Sequence, residues 1–405
     1  LAHPSERING KASRLLSGRK IVLGVAGSVA AYRAPDIARE LMRHGAKVVC
    51  AMSGGAEQFV GREVMHWATG SEVVDRLTGR TEHVEFFGKG VGGKADLLLI
   101  APATSTIVAK IACGIGEGVI DLMAATALGS RTPVVIAPAM HEALAENPLY
   151  VENVAKLKKL GVVFVPPRTE DGKAKIAMPR EIADYAIREI GKDAGRMKGK
   201  KTVVTAGATR EFIDDVRFIS NPGSGRMGVE IARRAWQMGA EAVVVAGHVD
   251  VEIPGFIERE DVGSLEEMRK AVLGREADAY FLAGAPGDFG VQKRFVGKMD
   301  SRRKTVVPLS PLPKIADDVK KRHPKAKLVL FKAESDAKML EERAGARMRE
   351  TCADVVVGNV VGKGRGFGDV ESEVLMISAR GKKKFSGTKA EIADGLLHFL
   401  LSSAK

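Results

Sequence analysis

Cysteine is scarce in this chain. Three occur among 405 residues, Cys50, Cys113 and Cys352, with no C-x-x-C pair. They supply neither a disulfide framework nor a thiolate zinc site, and a reducing cytoplasm is the expected compartment. Aromatic residues make up 5% of the chain, which leaves few platforms for stacking single-stranded bases. No apolar run approaches the ~20 residues that a membrane-spanning helix needs. The stretch from Leu1 to Lys20 is polar and basic and lacks the apolar core of a signal peptide, so neither membrane insertion nor secretion is expected.

What is present is an ordinary soluble balance, 45% hydrophobic and 28% charged, over a length that suggests two domains. Lys and Arg exceed Asp and Glu by 63 to 50, a net charge of +13. The basic residues are spread along the chain, with clusters at Lys293–Lys304 and Lys320–Lys327. Small phosphorylated metabolites fit this better than nucleic acid.

Two segments open alike. KIVLGVAGSVAAYRAPDIARELMRHGAKVVCAM (20–52) reads as strand, Gly-containing turn, helix with Ala34, Ile37, Ala38, Leu41 and Met42 on one face, Gly stop and strand. The stretch from Lys201 to Gly247 repeats the plan, with a long loop before its helix. Apolar runs at Leu97–Ala101, Val134–Ala137, Val162–Val165, Ala279–Ala283, Leu328–Phe331 and Val355–Val357 predict further buried strands. Alternation with helical stretches argues for parallel sheets covered on both faces. The expected fold is α/β, two doubly wound domains, at 18–192 and 198–405. A polar joint at 191–201 connects them, and residues 1–17 form a loose arm.

Ligands of such sheets sit beyond the carboxyl ends of the strands. Gly27-Ser28 stands there, as a phosphate site or as a turn with Ser28 as helix cap. Thr104, Ser105 and Thr106 follow Pro102 at another strand end and read as hydroxyl ligands or as caps. His141 ends a third strand, and His83 is expected to border the same crevice from between a helix and a strand. Gly223-Ser-Gly225-Arg-Met-Gly228 matches G-x-G-x-x-G, but it stands far from its strand, and no acidic residue stands at the expected place at the next strand's end, which runs into Gly247-His248. A dinucleotide site is therefore not expected. Lys298, after Gly284-Ala-Pro-Gly-Asp288, is a candidate for triphosphate binding. Cys50, in a strand, and Cys113, in a helix, are expected to be buried.

These segments resemble one family: phosphopantothenoylcysteine decarboxylase fused to phosphopantothenate–cysteine ligase, of coenzyme A biosynthesis. The resemblance is carried by AGSVAAYR (26–33), the His83 segment, ADLLLIAPATSTIVAKIACGI (95–115) and APAMH (137–141). In the second half it is carried by GATREFIDDVRFISNPGSGRMG (207–228), AGAPGDF (283–289) and GKMDS (297–301). It runs from about residue 18 to the end. It implies a flavodoxin-like FMN domain followed by a Rossmann-like ligase domain. In the first, FMN oxidises the substrate's cysteine thiol to a thioaldehyde, carbon dioxide leaves, and the enethiol is reduced to 4′-phosphopantetheine. By match, His83 is catalytic, and Gly27, Ser28, Ser53, Thr104, Ser105 and Thr106 line the FMN. In the second, CTP and Mg²⁺ activate 4′-phosphopantothenate as an acyl-cytidylate that the cysteine amine attacks. Asn221 would stabilise that centre. Ala283, Gly284, Asp288, Lys298, Lys314, Phe331 and Arg347 would bind CTP, with Lys298 on its phosphates. The resemblance also implies dimeric ligase halves joined through a β-arm and trimeric flavin halves, together a dodecamer.

Two departures from the family pattern stand out. His141 occupies the place of an Asn that grips the substrate carboxylate, and a protonated His can do the same. The substrate clamp's usual Cys is missing from the matching stretch, 170–177, which leaves Lys173, Lys175, His141 or water as proton donor. These departures raise an alternative, a working ligase carrying a non-catalytic, flavin-binding regulatory module.

Overall fold

The protein is described here by a computed structural model covering residues 3–170, 173–192, 195–302, 304–336, 338–360 and 371–402; the side chains of 169, 170, 173 and 174 lie outside the description. The chain divides into two compact units, Leu1–Asp193 and Ala194–Lys405.

The first unit runs β1 (Lys20–Val25), α1 (Ala34–Arg43), β2 (Lys47–Met52), α2 (Arg62–Thr69), β3 (Val73–Val74), α3 (Glu82–Phe87), β4 (Leu97–Ala103), α4 (Ser105–Cys113), α5 (Val119–Gly129), β5 (Val134–Pro138), α6 (Glu142–Ala145), α7 (Pro148–Lys159), β6 (Val163–Phe164), β7 (Arg168–Glu170), β8 (Lys173–Lys175) and α8 (Pro179–Gly191). The sheet is parallel, in the order β3-β2-β1-β4-β5-β6. With the two-residue edge strand β3 set aside, this is the flavodoxin order, and its switch point lies between β1 and β4. All seven residues of β4 are buried, as expected of a central strand with helices on both faces. Truncating Leu99 to Ala would cost about 2–5 kcal/mol.

Residues 3–17 correct the expectation of a loose arm. Leu16 is fully buried, and the N–H groups of Gly10, Ala12 and Leu16 donate to the Met42, Arg43 and His44 carbonyls at the end of α1 (2.8–3.0 Å). The segment caps carbonyls that a helix C-terminus leaves unpaired.

The second unit runs β9 (Lys201–Ala206), β10 (Arg210–Phe212), β11 (Phe218–Ser220), α9 (Arg226–Gln237), β12 (Glu241–Ala246), β13 (Glu258–Asp261), α10 (Leu265–Leu273), β14 (Ala279–Leu282), β15 (Phe289–Val291), β16 (Leu309–Pro311), α11 (Ile315–Arg322), β17 (Lys327–Glu334), α12 (Leu340–Thr351), β18 (Val355–Val360), β19 (Glu371–Ser378), β20 (Gly381–Thr388) and α13 (Lys389–Ser402). Its sheet has the order β13-β12-β9-β14-β17-β18-β19-β20. The first six strands are parallel in the doubly wound order, with the switch point between β9 and β14. The last two are antiparallel additions. The long loop before α9 holds a hairpin, β10 paired with β11. Gly225 caps α9 at φ +76°, and a Cβ on Gly228 would sit 2.6 Å from the Thr205 carbonyl oxygen. The glycines thus let the helix lie directly on β9.

Candidate functional site

In the first unit the strand ends converge by backbone hydrogen bonds. Ala26 N–H donates to the Pro102 carbonyl (3.1 Å), Ser53 N–H to Val25 (3.1 Å) and Ala139 N–H to Ala103 (3.0 Å). Beyond them lies a cavity of about 620 Å³, lined by Gly27, Ser53, Thr104 and Thr106, and by Asp75, Arg76, Lys110, Glu117 and Asp121 among others. That size suits a small-molecule or cofactor ligand. Gly27 is required there, because a Cβ would meet the Gly55 backbone at 2.9 Å.

Four of the six expected flavin ligands therefore share one wall. Thr104 also caps α4, its Oγ1 accepting from Ile107 N–H (3.3 Å). Ser28 and Ser105 stand outside that wall. Ser28 caps the turn after β1, accepting from Ala30 N–H (3.3 Å), and donates to the Ala139 carbonyl (3.4 Å). This ties it to the strand end that carries His141. The His141 ring is exposed at the start of α6, and its Nδ1 accepts from Ala143 N–H (3.4 Å), which assigns the proton of the neutral ring to Nε2.

His83 lies within α3, not between a helix and a strand, and α3 packs against α5. It does not line the cavity, and no described contact joins it to His141. Its Nδ1 is buried without a hydrogen-bond partner among the described residues. Such a nitrogen is costly to bury and is a natural place for a ligand group or proton.

Several wall residues carried no expectation. Asp121 is buried and accepts from Glu117 and Gly118 N–H (2.8 and 2.9 Å). Lys110 pairs with Glu117 at 2.8 Å, and that hydrogen bond holds its ammonium above the ordinary lysine value. Lys110 stands one turn after Thr106, a spacing that places both on one helix face and that was readable from the chain.

Cys50 is buried, and burial pushes its thiol well above the ordinary value. Cys113 departs from the expectation: it is exposed, as the last residue of α4 before the left-handed Gly114. In the clamp-like stretch, residues 171 and 172 and the Lys173 side chain lie outside the described residues, while Lys175 ends β8.

In the second unit the loops after β9 and β14 are laced together. Gly284 N–H donates to Thr205 Oγ1, and Gly287 N–H to Thr209 Oγ1 (2.9 Å each). Ala285 N–H donates to the Gly207 carbonyl (2.8 Å). Asn221, just after β11, donates from Nδ2 to the Pro286 carbonyl (2.8 Å). Asp288 pairs with Lys314, which directly precedes α11. Arg347 of α12 reaches Asp317, in the first turn of α11, at 2.8 Å. Ala283 follows Leu282, whose register partner on β17 is Leu330, so Phe331 is level with Ala283.

Six of the seven expected nucleotide residues thus fall around the end of β14: Ala283, Gly284 and Asp288 follow it, Phe331 is level with Ala283 within β17, and Lys314 and Arg347 stand at or reach the first turn of α11. Lys298 belongs to a different set of contacts. Its neighbours Gly297 and Met299 donate N–H to Asp215 and Asp214 (3.1 and 3.0 Å), in the turn between β10 and β11. Asp214 is fully buried. Burial opposes its ionisation, but N–H groups of Arg217, Met299 and Val216 and the Arg217 guanidinium outweigh this and hold its carboxyl well below the usual range.

Fold and strand-end chemistry define a class: a flavin-type α/β unit followed by a doubly wound unit with a built loop site. Residues 9–191 match the Flavoprotein family, and residues 197–403 match the DNA/pantothenate metabolism flavoprotein C-terminal domain. The chain is 41% identical over 404 residues to the coenzyme A biosynthesis bifunctional protein CoaBC of Thermococcus kodakarensis, covering 98% of each chain. It is 32% identical to the protein of the same name from Methanocaldococcus jannaschii, over 98% of this chain and 97% of that one. The crystal structure of a CoaBC C-terminal domain is similar over 51% of this chain and 95% of that one, at 28% identity and a TM-score of 0.43. The chain belongs to the family of bifunctional coenzyme A biosynthesis proteins. It is an enzyme of two steps, a decarboxylation and a ligation. Among the described residues no helix is long and apolar enough to cross a membrane.

Proposed function

We propose that the second unit joins 4′-phosphopantothenate to cysteine at the expense of CTP, through an acyl-cytidylate, and that the first unit decarboxylates the product to 4′-phosphopantetheine in a reducing cytoplasm. The observation that carries the flavin assignment is the gathering of Gly27, Ser53, Thr104 and Thr106 on one cavity at the β1–β4 switch point. FMN fits that wall: a glycine allows close approach, and the α4 N-terminus offers N–H groups to a phosphate. When bound, FMN supplies the removal and return of the reducing equivalents at the cysteine sulfur. The chain's own part is to hold the substrate and place protons. His141 would take the substrate carboxylate through Nε2–H. His83 would keep its catalytic role by the family match, although its ring does not line this cavity and its Nδ1 is buried.

In the ligase unit, Asn221 keeps one amide hydrogen on Pro286 and has a second for the oxygen that gains charge when the amine attacks. Asp288, Lys314, Ala283, Gly284, Phe331 and Arg347 would hold the nucleotide, with Lys298 supplied to its phosphates by the turn at Asp214 and Asp215. Among the described residues no group of three or more His, Cys, Asp or Glu stands together as metal ligands; Mg²⁺ enters the proposal with the nucleotide that carries it. Ligase units would pair through their hairpins, where Phe212, Val216, Phe218 and Phe289 are exposed, and flavin units would form trimers. The test is to incubate the protein with 4′-phosphopantothenate, cysteine, Mg²⁺ and each nucleoside triphosphate in turn. Pyrophosphate, carbon dioxide and thiol product should appear with CTP. Equal rates with ATP would reject the nucleotide assignment.

A further inference from the structure

Thr209 is fully buried, yet it has no place in the chemistry described above. Its two oxygens tie together two loops. The hydroxyl Oγ1 accepts from Gly287 N–H at 2.9 Å, and its carbonyl accepts from the Ser220 hydroxyl at 2.8 Å. Ser220 precedes Asn221, whose amide returns to the Pro286 carbonyl at 2.8 Å, one residue before Gly287. The contacts close a ring: Thr209, Ser220, Asn221, Pro286, Gly287 and back to Thr209. We propose that Thr209 is a positioning residue for the ligase reaction, fixing Asn221 against the loop that leads into Asp288. The inference rests on the oxyanion role given to Asn221.

Physically, an amide donor helps a developing charge only if it is already aimed when the charge appears, and small misplacements of such groups cost rate steeply. The ring supplies that aim. The carbonyl of Pro286 fixes the amide plane, and Thr209 fixes Pro286 by holding the next residue's N–H. Removing the hydroxyl leaves Gly287 N–H buried without a partner, and the loop can then rotate away from Asn221.

The test uses the full-length protein and separates two partial reactions: pyrophosphate release with CTP and 4′-phosphopantothenate, and cysteine-dependent amide formation. Thr209→Val should slow amide formation roughly tenfold, the scale of one hydrogen bond, with pyrophosphate release changed by less than about twofold. Thr209→Ser keeps the hydroxyl and should restore the amide rate. Ser220→Ala opens the same ring at an exposed side chain, where folding is not at risk, and should show the same selective loss. In an Asn221→Asp background, Thr209→Val should have no further effect, because residues acting as one unit are not additive. Equal loss in both partial reactions, no loss with either ring variant, or additive losses would overturn the inference while leaving Asn221 in its role. If Asn221→Asp alone left amide formation unchanged, the role of Asn221 and this inference would fall together.

Discussion

The two units place their sites at the same topological point and build them in opposite ways. In each, the first strand of the main sheet lies between two later strands reached by crossovers in opposite directions, β2 and β4 around β1 and β12 and β14 around β9, so strand ends open a crevice between β1 and β4 and between β9 and β14. In the first unit that crevice stays open, as a cavity of about 620 Å³ floored by glycine and hydroxyl side chains. In the second, Ala208 bridges both Ala285 and His248, and Thr205, Gly207 and Thr209 take up the N–H groups of Gly284, Ala285 and Gly287. The crevice is laced shut, and the polar groups stand on its outer rim: Asn221, Asp288 and Lys314. Under the proposed function, the open crevice has room for a flavin, and a nucleotide and two further substrates would meet at the rim. Sheet topology thus locates a site, and the loops decide what kind it is.

The largest effect should come from the rim. Asn221→Asp should let pyrophosphate release continue while amide formation falls about 10²–10³-fold, the cost of losing one such donor. An equal fall in both would contradict the assignment. Lys298→Gln should instead slow pyrophosphate release itself, with amide formation falling in step because it consumes the acyl-cytidylate, and an unchanged nucleotide step would sink its phosphate role. The open crevice is tested next by Gly27→Val. A Cβ there meets the Gly55 backbone, and overpacking of that kind is worth about 1–3 kcal/mol. FMN should bind roughly tenfold or more weakly, read by titration of the apoprotein, while ligase activity stays normal. Undiminished FMN affinity would show that the close approach of Gly27 to Gly55 does not shape the site.

A smaller effect concerns acid. The folded Asp214 carboxyl is held below its unfolded value of about 4, so its stabilising contribution is full above that value and is lost as pH falls through the folded one. Trp67 and Trp236 lie one in each unit, so Trp236 fluorescence in a Trp67→Phe background reports the second. Urea midpoints should drop between about pH 4 and pH 2, and Asp214→Asn should flatten that slope. Identical slopes would remove Asp214 from the account. The smallest effect is expected of Cys113→Ser. Although exposed, Cys113 stands beyond the cavity wall, and decarboxylation should continue within about twofold. Its loss would make that thiol the proton donor.

The parts of this fold that were readable in the chain were those where burial leaves a one-dimensional mark. Buried strand segments such as Leu97–Ala101 and Val355–Val357 read as unbroken apolar runs. The antiparallel strand Gly381–Thr388 has mostly exposed positions and three consecutive lysines. Only pairing with Glu371–Ser378 makes it a strand, and pairing is invisible in a single segment. Thr104 and Thr106 are legible as crevice residues because a strand-to-helix junction sets hydroxyls at the crevice, although such hydroxyls can equally serve as caps, and Thr104 does both. His83 lies inside α3 rather than between a helix and a strand, which its local sequence does not show, and the role of Thr209 is silent in the chain beside Asn221. Its work is done by contacts to residues 220 and 287, and no local spacing shows that.

The central claim is that an open and a laced crevice divide two consecutive reactions within one chain. Its most direct test is a single time course on the FMN-loaded full-length protein with 4′-phosphopantothenate, cysteine, CTP and Mg²⁺, following pyrophosphate, carbon dioxide and thiol product together. Pyrophosphate should rise first, and carbon dioxide and 4′-phosphopantetheine should follow in amounts equal to it. Pyrophosphate with 4′-phosphopantothenoylcysteine accumulating and no carbon dioxide would contradict the claim, and would make the first unit a flavin-binding module attached to a ligase.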